Sequence, residues 1–135
     1  MKELIEAISP IWFKRPGVHA SELLAFEAAI GRKLPDDYKT FMQWSNGGEG
    51  SFGDAYLSLW RVDELLSLNE GYAIWRYIPE CFGVGSDGGS RCYVFDYRGG
   101  YSEPTLGLVP FGDLGSESLV TLGPSLTQVL DKWLG

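Results

Sequence analysis

The sequence predicts an α+β fold: a mainly antiparallel sheet of about four to six strands, with helices before it and one C-terminal helix packed on it. Three observations carry this expectation. The clear helical stripes lie within residues 1–45 and 124–135. Between them, short apolar runs succeed one another through Gly- and Asp-rich turns. Strands and long helices do not alternate, so nothing calls for the crossovers of a parallel sheet.

Met1 to Ser9 carries Leu4, Ile5 and Ile8 on one helical face, and Pro10 stops it. Residues 10–19 read as a loop with an apolar anchor at Trp12-Phe13. A second helix begins near Ala20-Ser21, shows the stripe Leu23, Phe26 and Ile30, and stops at Gly31. The third helix opens at Pro35, where a first-turn proline is tolerated, and Asp36-Asp37 complement the positive end of its dipole. Leu34, Tyr38, Phe41 and Met42 form its apolar face, and Asn46-Gly47-Gly48 supplies a left-handed stop.

Tyr56 to Trp60 is a short strand candidate, and Val62 to Leu68 a short helical turn. Gly71 to Pro79 is aromatic and irregular. Cys81 to Gly85 and Arg91 to Tyr97 form a hairpin about Ser86-Asp87-Gly88-Gly89, where glycine provides positive φ. Arg98-Gly99-Gly100 is a further turn; Gly107 to Phe111 and Ser118 to Leu122 are strand candidates. Pro124 opens the last helix, with Leu126, Val129, Leu130 and Trp133 inward.

A chain of 135 residues, 44% hydrophobic and 14% aromatic, fits one domain over 1–135 and can bury a core. The net charge is -7, all of it from residues 46–135. An acidic surface repels phosphate, which argues against nucleic acid and anionic membrane as direct partners. Residues 1–10 lack the apolar run of a signal peptide, and no run is long enough to span a bilayer. The expected location is therefore the cytoplasm, with Cys81 and Cys92 as free thiols. A turn centred on Gly88-Gly89 would pair Cys92 with Gly85, away from Cys81, and both read as small core residues.

The inventory of chemical groups is thin. His19 is the single histidine, and its position before a helix reads as a loop or capping residue. Neither serine nor cysteine lies in a nucleophile motif. One His and two separated Cys do not make a zinc set. The run Gly83-Val-Gly85-Ser-Asp-Gly88-Gly89 lacks the Gly-Lys-Ser/Thr ending of a phosphate loop, and strand-turn-strand is its better context. Asp36-Asp37 and Asp63-Glu64 are sequence neighbours that do not face each other on a helix, so helix-start charge explains them. No catalytic, metal or cofactor residue is expected.

The stretch from Ile30-Gly31 through Leu34-Pro35-Asp-Asp-Tyr38-Lys-Thr-Phe41 to Asn46-Gly47-Gly48 resembles the SUKH superfamily. There a helix ending in Gly, a Leu-Pro-x-x-Tyr-x-x-Phe helix and an Asn-Gly-Gly stop recur. Phe82 to Gly89 and the tail from Leu119 to Leu130 are similar to later parts of that pattern. The loop from Gly99 to Gly107 is longer than the pattern leads one to expect. The resemblance implies a non-catalytic α+β module. It also implies one of two roles, a bacterial immunity protein that binds a toxin domain, often a nuclease, or an intracellular regulatory scaffold of the fungal cell-wall-assembly type.

For the immunity role the acidic, aromatic stretch 49–90 is the expected contact region. Its candidate charges are Glu49, Asp54, Asp63, Glu64, Glu70, Glu80 and Asp87; its candidate anchors are Trp60, Tyr72, Trp75 and Tyr77. A basic toxin domain is the expected partner, met by a monomer or weak homodimer.

Overall fold

The computed structural model describes residues 1–100 and 103–135. Among them, seven strands form one antiparallel sheet in sequential order. The strands are β1 (Trp12–Phe13), β2 (Gly48–Phe52), β3 (Ala55–Leu59), β4 (Cys81–Ser86), β5 (Arg91–Asp96), β6 (Thr105–Pro110) and β7 (Val120–Gly123). The helices are α1 (Lys2–Ile8), α2 (Ala20–Ile30), α3 (Asp36–Trp44), α4 (Val62–Tyr72), α5 (Ile74–Tyr77) and α6 (Leu126–Leu134). The α+β expectation holds, and the sheet has more strands than the four to six expected.

The expected helical faces are the buried ones. Tyr38, Phe41 and Met42 are fully buried, with Leu34 just ahead of them; Leu23 and Phe26 face inward from α2, and Leu126, Val129 and Leu130 from α6. Phe41 meets the edge of Trp12 at 5.2 Å, and Tyr38 that of Phe95 at 5.1 Å. Such edge-to-face pairs add to what burial alone contributes.

Four local expectations are corrected. Residues 10–19 are not all loop: a 3₁₀ turn, Ser9–Ile11, leads into β1, which pairs with β2 through Trp12↔Gly50. Strand β2 escaped notice because its inward positions are Gly48, Gly50 and Phe52, and alternating glycines make no hydrophobic period. Those glycines have a reason. A Cβ on Gly48 would lie 2.5 Å from Trp12 Nε1, and one on Gly50 2.9 Å from the same indole. The Trp12 ring occupies the slot they leave.

Second, Asn46-Gly47-Gly48 does not cap α3 in the left-handed region, because α3 already ends at Ser45 in extended backbone (φ -144). The buried Ser45 hydroxyl accepts from Trp12 Nε1 at 3.3 Å and donates to the Gly47 carbonyl at 2.6 Å. Asn46 Oδ1 accepts from the Val62 N–H at 2.9 Å, so it caps the next helix and not its own. Third, the helical turn of Val62 to Leu68 runs on to Tyr72, and the irregular segment after it holds α5. Ala73, in the left-handed region at φ +57, divides the two. Fourth, Cys92 pairs with Ser86, one position from the expected Gly85, because the turn centres on Gly89; the register shift between Gly83 and Gly85 restores the expected pairing further along, with Phe82 opposite Phe95. The expected long loop from Gly99 to Gly107 includes Tyr101 and Ser102, which lie outside the described residues; β6 starts within that span, at Thr105.

Strand alternation sends Tyr93 and Phe95 to one face of the sheet, Cys92 and Val94 to the other. The first face joins the main core with α1, α2, α3 and α6. The second, with Cys81 and Val109, is covered by Ile74 and Ile78 around α5 and by Phe111, Leu114 and Leu119. Helix α4 is fastened to β4 by a buried amide. Asn69 Nδ2 donates to the carbonyls of Leu65 and Gly83, each at 2.8 Å, and its Oδ1 accepts from Gly83 N–H at 2.7 Å. The side chain thus pairs with Gly83 as a neighbouring strand would. Gly83 has no room for a Cβ, which would lie 2.5 Å from Ile74 Cδ1 and 3.2 Å from Asn69 Oδ1.

Candidate functional site

The acidic and aromatic residues of 49–90 fall into three neighbourhoods. The first surrounds α4. Its outward positions Asp63, Leu66, Ser67 and Glu70 are exposed at helical spacings of three and four, a mostly polar face that carries two acids. The Glu64 carboxylate turns back to accept from Arg61 N–H at 3.3 Å, and Arg61 also reaches Asp63 at 3.2 Å. Among the described residues, the Glu70 carboxylate has neither hydrogen bond nor ion pair. At the end of α4, Tyr72 stacks on Trp60 with ring centres 6.2 Å apart and planes 12° apart. Phe111, from the loop after β6, joins both, 4.3 Å from Tyr72 and 6.4 Å from Trp60. Tyr72 is the exposed ring of the three, at 43%.

The second neighbourhood lies at the tips of the β2–β3 and β4–β5 hairpins. A groove of about 370 Å³ has Asp54, Tyr56, Asp87 and Arg91 on its lip and Tyr93, Leu108 and Trp133 below. Glu49 accepts from the Tyr56 hydroxyl at 2.6 Å, and Tyr93 donates to the Tyr56 carbonyl at 2.8 Å. Asp87 is occupied with its own turn. It accepts from the N–H groups of Gly89 and Arg91 and from Arg91 Nε at 2.8 Å. Burial pushes its pKa up, but these hydrogen bonds outweigh that and leave it below the usual aspartate value. Asp54 keeps its carboxylate free of partners among the described residues.

The third neighbourhood lies beside α5. Trp75 packs on Phe82 at 5.4 Å, and Glu80 pairs with Arg32 at 2.8 Å. Tyr77 points away and is 60% exposed. Trp60 and Tyr72 are therefore brought together, as are Asp54 and Asp87, whereas Trp75 and Glu80 belong to a separate pocket.

One histidine and two cysteines are the groups whose surroundings bear on chemistry. His19 precedes α2 as its N-cap, and its backbone N–H donates to the Glu22 carboxylate at 3.3 Å. The thiols of Cys81 and Cys92 are buried, which pushes both to about 12; the Asp96 carboxylate adds to the effect at Cys81. They stay protonated at neutral pH and are poor nucleophiles. Among the described residues no three His, Cys, Asp or Glu side chains are grouped to hold a metal ion, and no helix is long and apolar enough to cross a membrane.

Three participants carried no signal in the sequence. Phe111 follows a Pro in a turn, and only the sheet order brings it to Tyr72. Tyr56 reads as a strand residue. Arg32 reads as a charge after a helix stop.

The sequence matches the model of the family described as SMI1 / KNR4 family (SUKH-1) over residues 17–132. A search of curated proteins gives no match.

Proposed function

We propose, on the premise that the chain belongs to the SMI1 / KNR4 family (SUKH-1), that this protein is an immunity protein of the cytoplasm that binds and neutralises a basic bacterial toxin domain. Membership of this family supports a protein-binding module in general terms, and the family is generally non-enzymatic. The observation that carries the finer reading is the Trp60–Tyr72–Phe111 stack beside the exposed Asp63 and Glu70 of α4. Large rings that are rigid before binding lose little freedom on contact, and aromatic anchors dominate the energy of many interfaces. The surrounding negative charge speeds encounter with a basic surface and disfavours acidic partners. A nuclease active site, built to hold phosphate, is one such surface.

The test is co-expression with basic effector domains encoded beside its gene. Protection of the cell and co-purification of a complex, both weakened by Tyr72→Ala, are the expected results. Recovery of no complex and no protection across the candidates would sink the proposal. The family match also supports a regulatory scaffold with endogenous partners. Stable endogenous complexes in a cell that gains no protection would favour it.

A further inference from the structure

Gly31, at φ +68, turns the chain at the end of α2 and sends Arg32 back over the sheet. The guanidinium comes to rest 5.2 Å from the centre of the Tyr97 ring while one nitrogen pairs with Glu80 at 2.8 Å. Beneath them is a cavity of about 180 Å³ lined by Ile30, Trp75, Phe82 and Tyr97. The Tyr97 ring is fixed by its hydroxyl, which donates to the Lys33 carbonyl at 2.9 Å. Arg32 and Glu80 are both partly exposed, at 39% and 49% of their side chains, so solvent and solutes reach the pair.

The backbone around this pocket is strained. Ala73 and Glu80, at φ +57 and +66, are the two non-glycine residues with positive φ among those described. They bracket α5, the short helix that carries Trp75. Residues hold such conformations where the surroundings over-determine them, and these sites cluster at ligand clamps. Here the Glu80 carbonyl accepts from Tyr97 N–H at 2.9 Å, which locks the carboxylate's residue to the aromatic wall.

We infer that this pocket is the seat for an arginine side chain of a protein partner, and that Arg32 covers its mouth in the free protein. Several aromatic rings with one carboxylate at the rim make a cation site. A guanidinium suits it better than an ammonium, because it stacks flat on a ring while its fork reaches a carboxylate. Arg32 already makes both contacts, so the chain itself displays the chemistry of the occupant. The cavity is smaller than the roughly 300–1,000 Å³ of small-molecule sites, which suits one side chain. A basic partner supplies such a side chain, and the incoming arginine takes Glu80 and the ring from Arg32. This rests on the binding reading above and names the residue type that the partner presents.

The test uses the full ¹⁵N-labelled chain and the blocked peptide Ac-Gly-Arg-Gly-NH₂, with its citrulline counterpart as the neutral control. The readout is the indole N–H resonance of Trp75. Wild type should respond weakly, and Arg32→Ala should bind the arginine peptide about tenfold more tightly because the resident competitor is gone. Glu80→Gln in that background should abolish the gain, and citrulline should leave the indole unmoved. Arg32→Gln, which keeps most of the stem packing, carries the comparison if the alanine variant loses amide dispersion. Equal responses to arginine and citrulline, or no gain on removing Arg32, would overturn the inference. That failure with toxin protection intact would leave the binding function standing. Loss of protection with the peptide response intact would do the reverse.

Discussion

The Asp37 carboxylate at the start of α3 accepts both the backbone N–H and the hydroxyl of Thr127, at 2.9 and 2.8 Å, across 90 residues of sequence. Helix α6 has a local cap as well, the Ser125 hydroxyl, which accepts from Gln128 N–H. The Asp37 contact ties two helices of the main core through the first turn of α6, where a negative charge also meets the helix dipole. Asp37→Ala should lower stability by about 1–2 kcal/mol, the usual size of a lost cap or charged hydrogen bond. Thermal melts measure it, and an unchanged Tm would show that the contact is idle.

Asn69 presents a sharper case because Gly83 depends on it for both its N–H and its carbonyl. Asn69→Ala leaves these groups buried without partners. The expected loss is at least about 2 kcal/mol by denaturant titration, given about 1–3 kcal/mol for each unsatisfied group. Asn69→Asp should do no better, because a carboxylate cannot donate to the two carbonyls.

Tyr38 is fully buried, and its hydroxyl is the one buried side-chain polar atom among the described residues with no hydrogen-bond partner. Burial drives its pKa well above the usual tyrosine value. Tyr38→Phe keeps the ring against Phe95 and removes the orphan oxygen. Stability should hold or rise by up to about 1 kcal/mol. A loss greater than that would reveal a partner for the hydroxyl.

Acid should weaken the fold through the β5 turns. The hydrogen bonds from Arg98 hold Asp96 below its ordinary value of 3.8, against an opposing effect of burial. At Asp87 burial acts first and upward, and the hydrogen bonds from Arg91 reverse it. Both carboxylates are thus more acidic folded than unfolded. Their contribution is complete above the ordinary value and is lost as the pH falls through the lower folded one. Melts between about pH 6 and pH 2 should show this fall, and Asp87→Asn with Asp96→Asn should flatten it. An unaltered profile in the double variant would assign acid lability elsewhere.

On the proposed interface, Tyr72→Ala should weaken the complex by about 1–3 kcal/mol, the range of aromatic anchors. Glu70→Gln should act mainly on the association rate and its salt dependence. Kinetics of binding at two salt concentrations separate the two. Equal effects on dissociation would remove the distinction between anchor and steering charge.

The helices α1, α2, α3 and α6 were legible in the sequence because each has an apolar stripe at helical spacing and a start or stop signal beside it, and such signals act within a few residues. The hairpin about Asp87-Gly88-Gly89 was legible for the same reason. Strand β2 was not, since its inward face is glycine shaped to a tryptophan from β1. Helix α4 looked shorter than it is, because its late inward residue is Asn69 and not an apolar one. Of the contact region, composition identified the acidic and aromatic stretch. What it left open was the grouping, because Tyr72 meets Phe111 and Glu80 meets Arg32 only through the order of the sheet.

By itself, then, the sequence determined the class of fold, the faces of the main helices and the acidic character of residues 46–135, all properties of local periodicity and charge. The tertiary structure alone decided which side chains share a surface. Asp37 with Thr127, Asn69 with Gly83 and Arg32 with Glu80 are pairs whose partners lie far apart in the chain, and no short-range pattern encodes a contact that forms only when the sheet closes the distance.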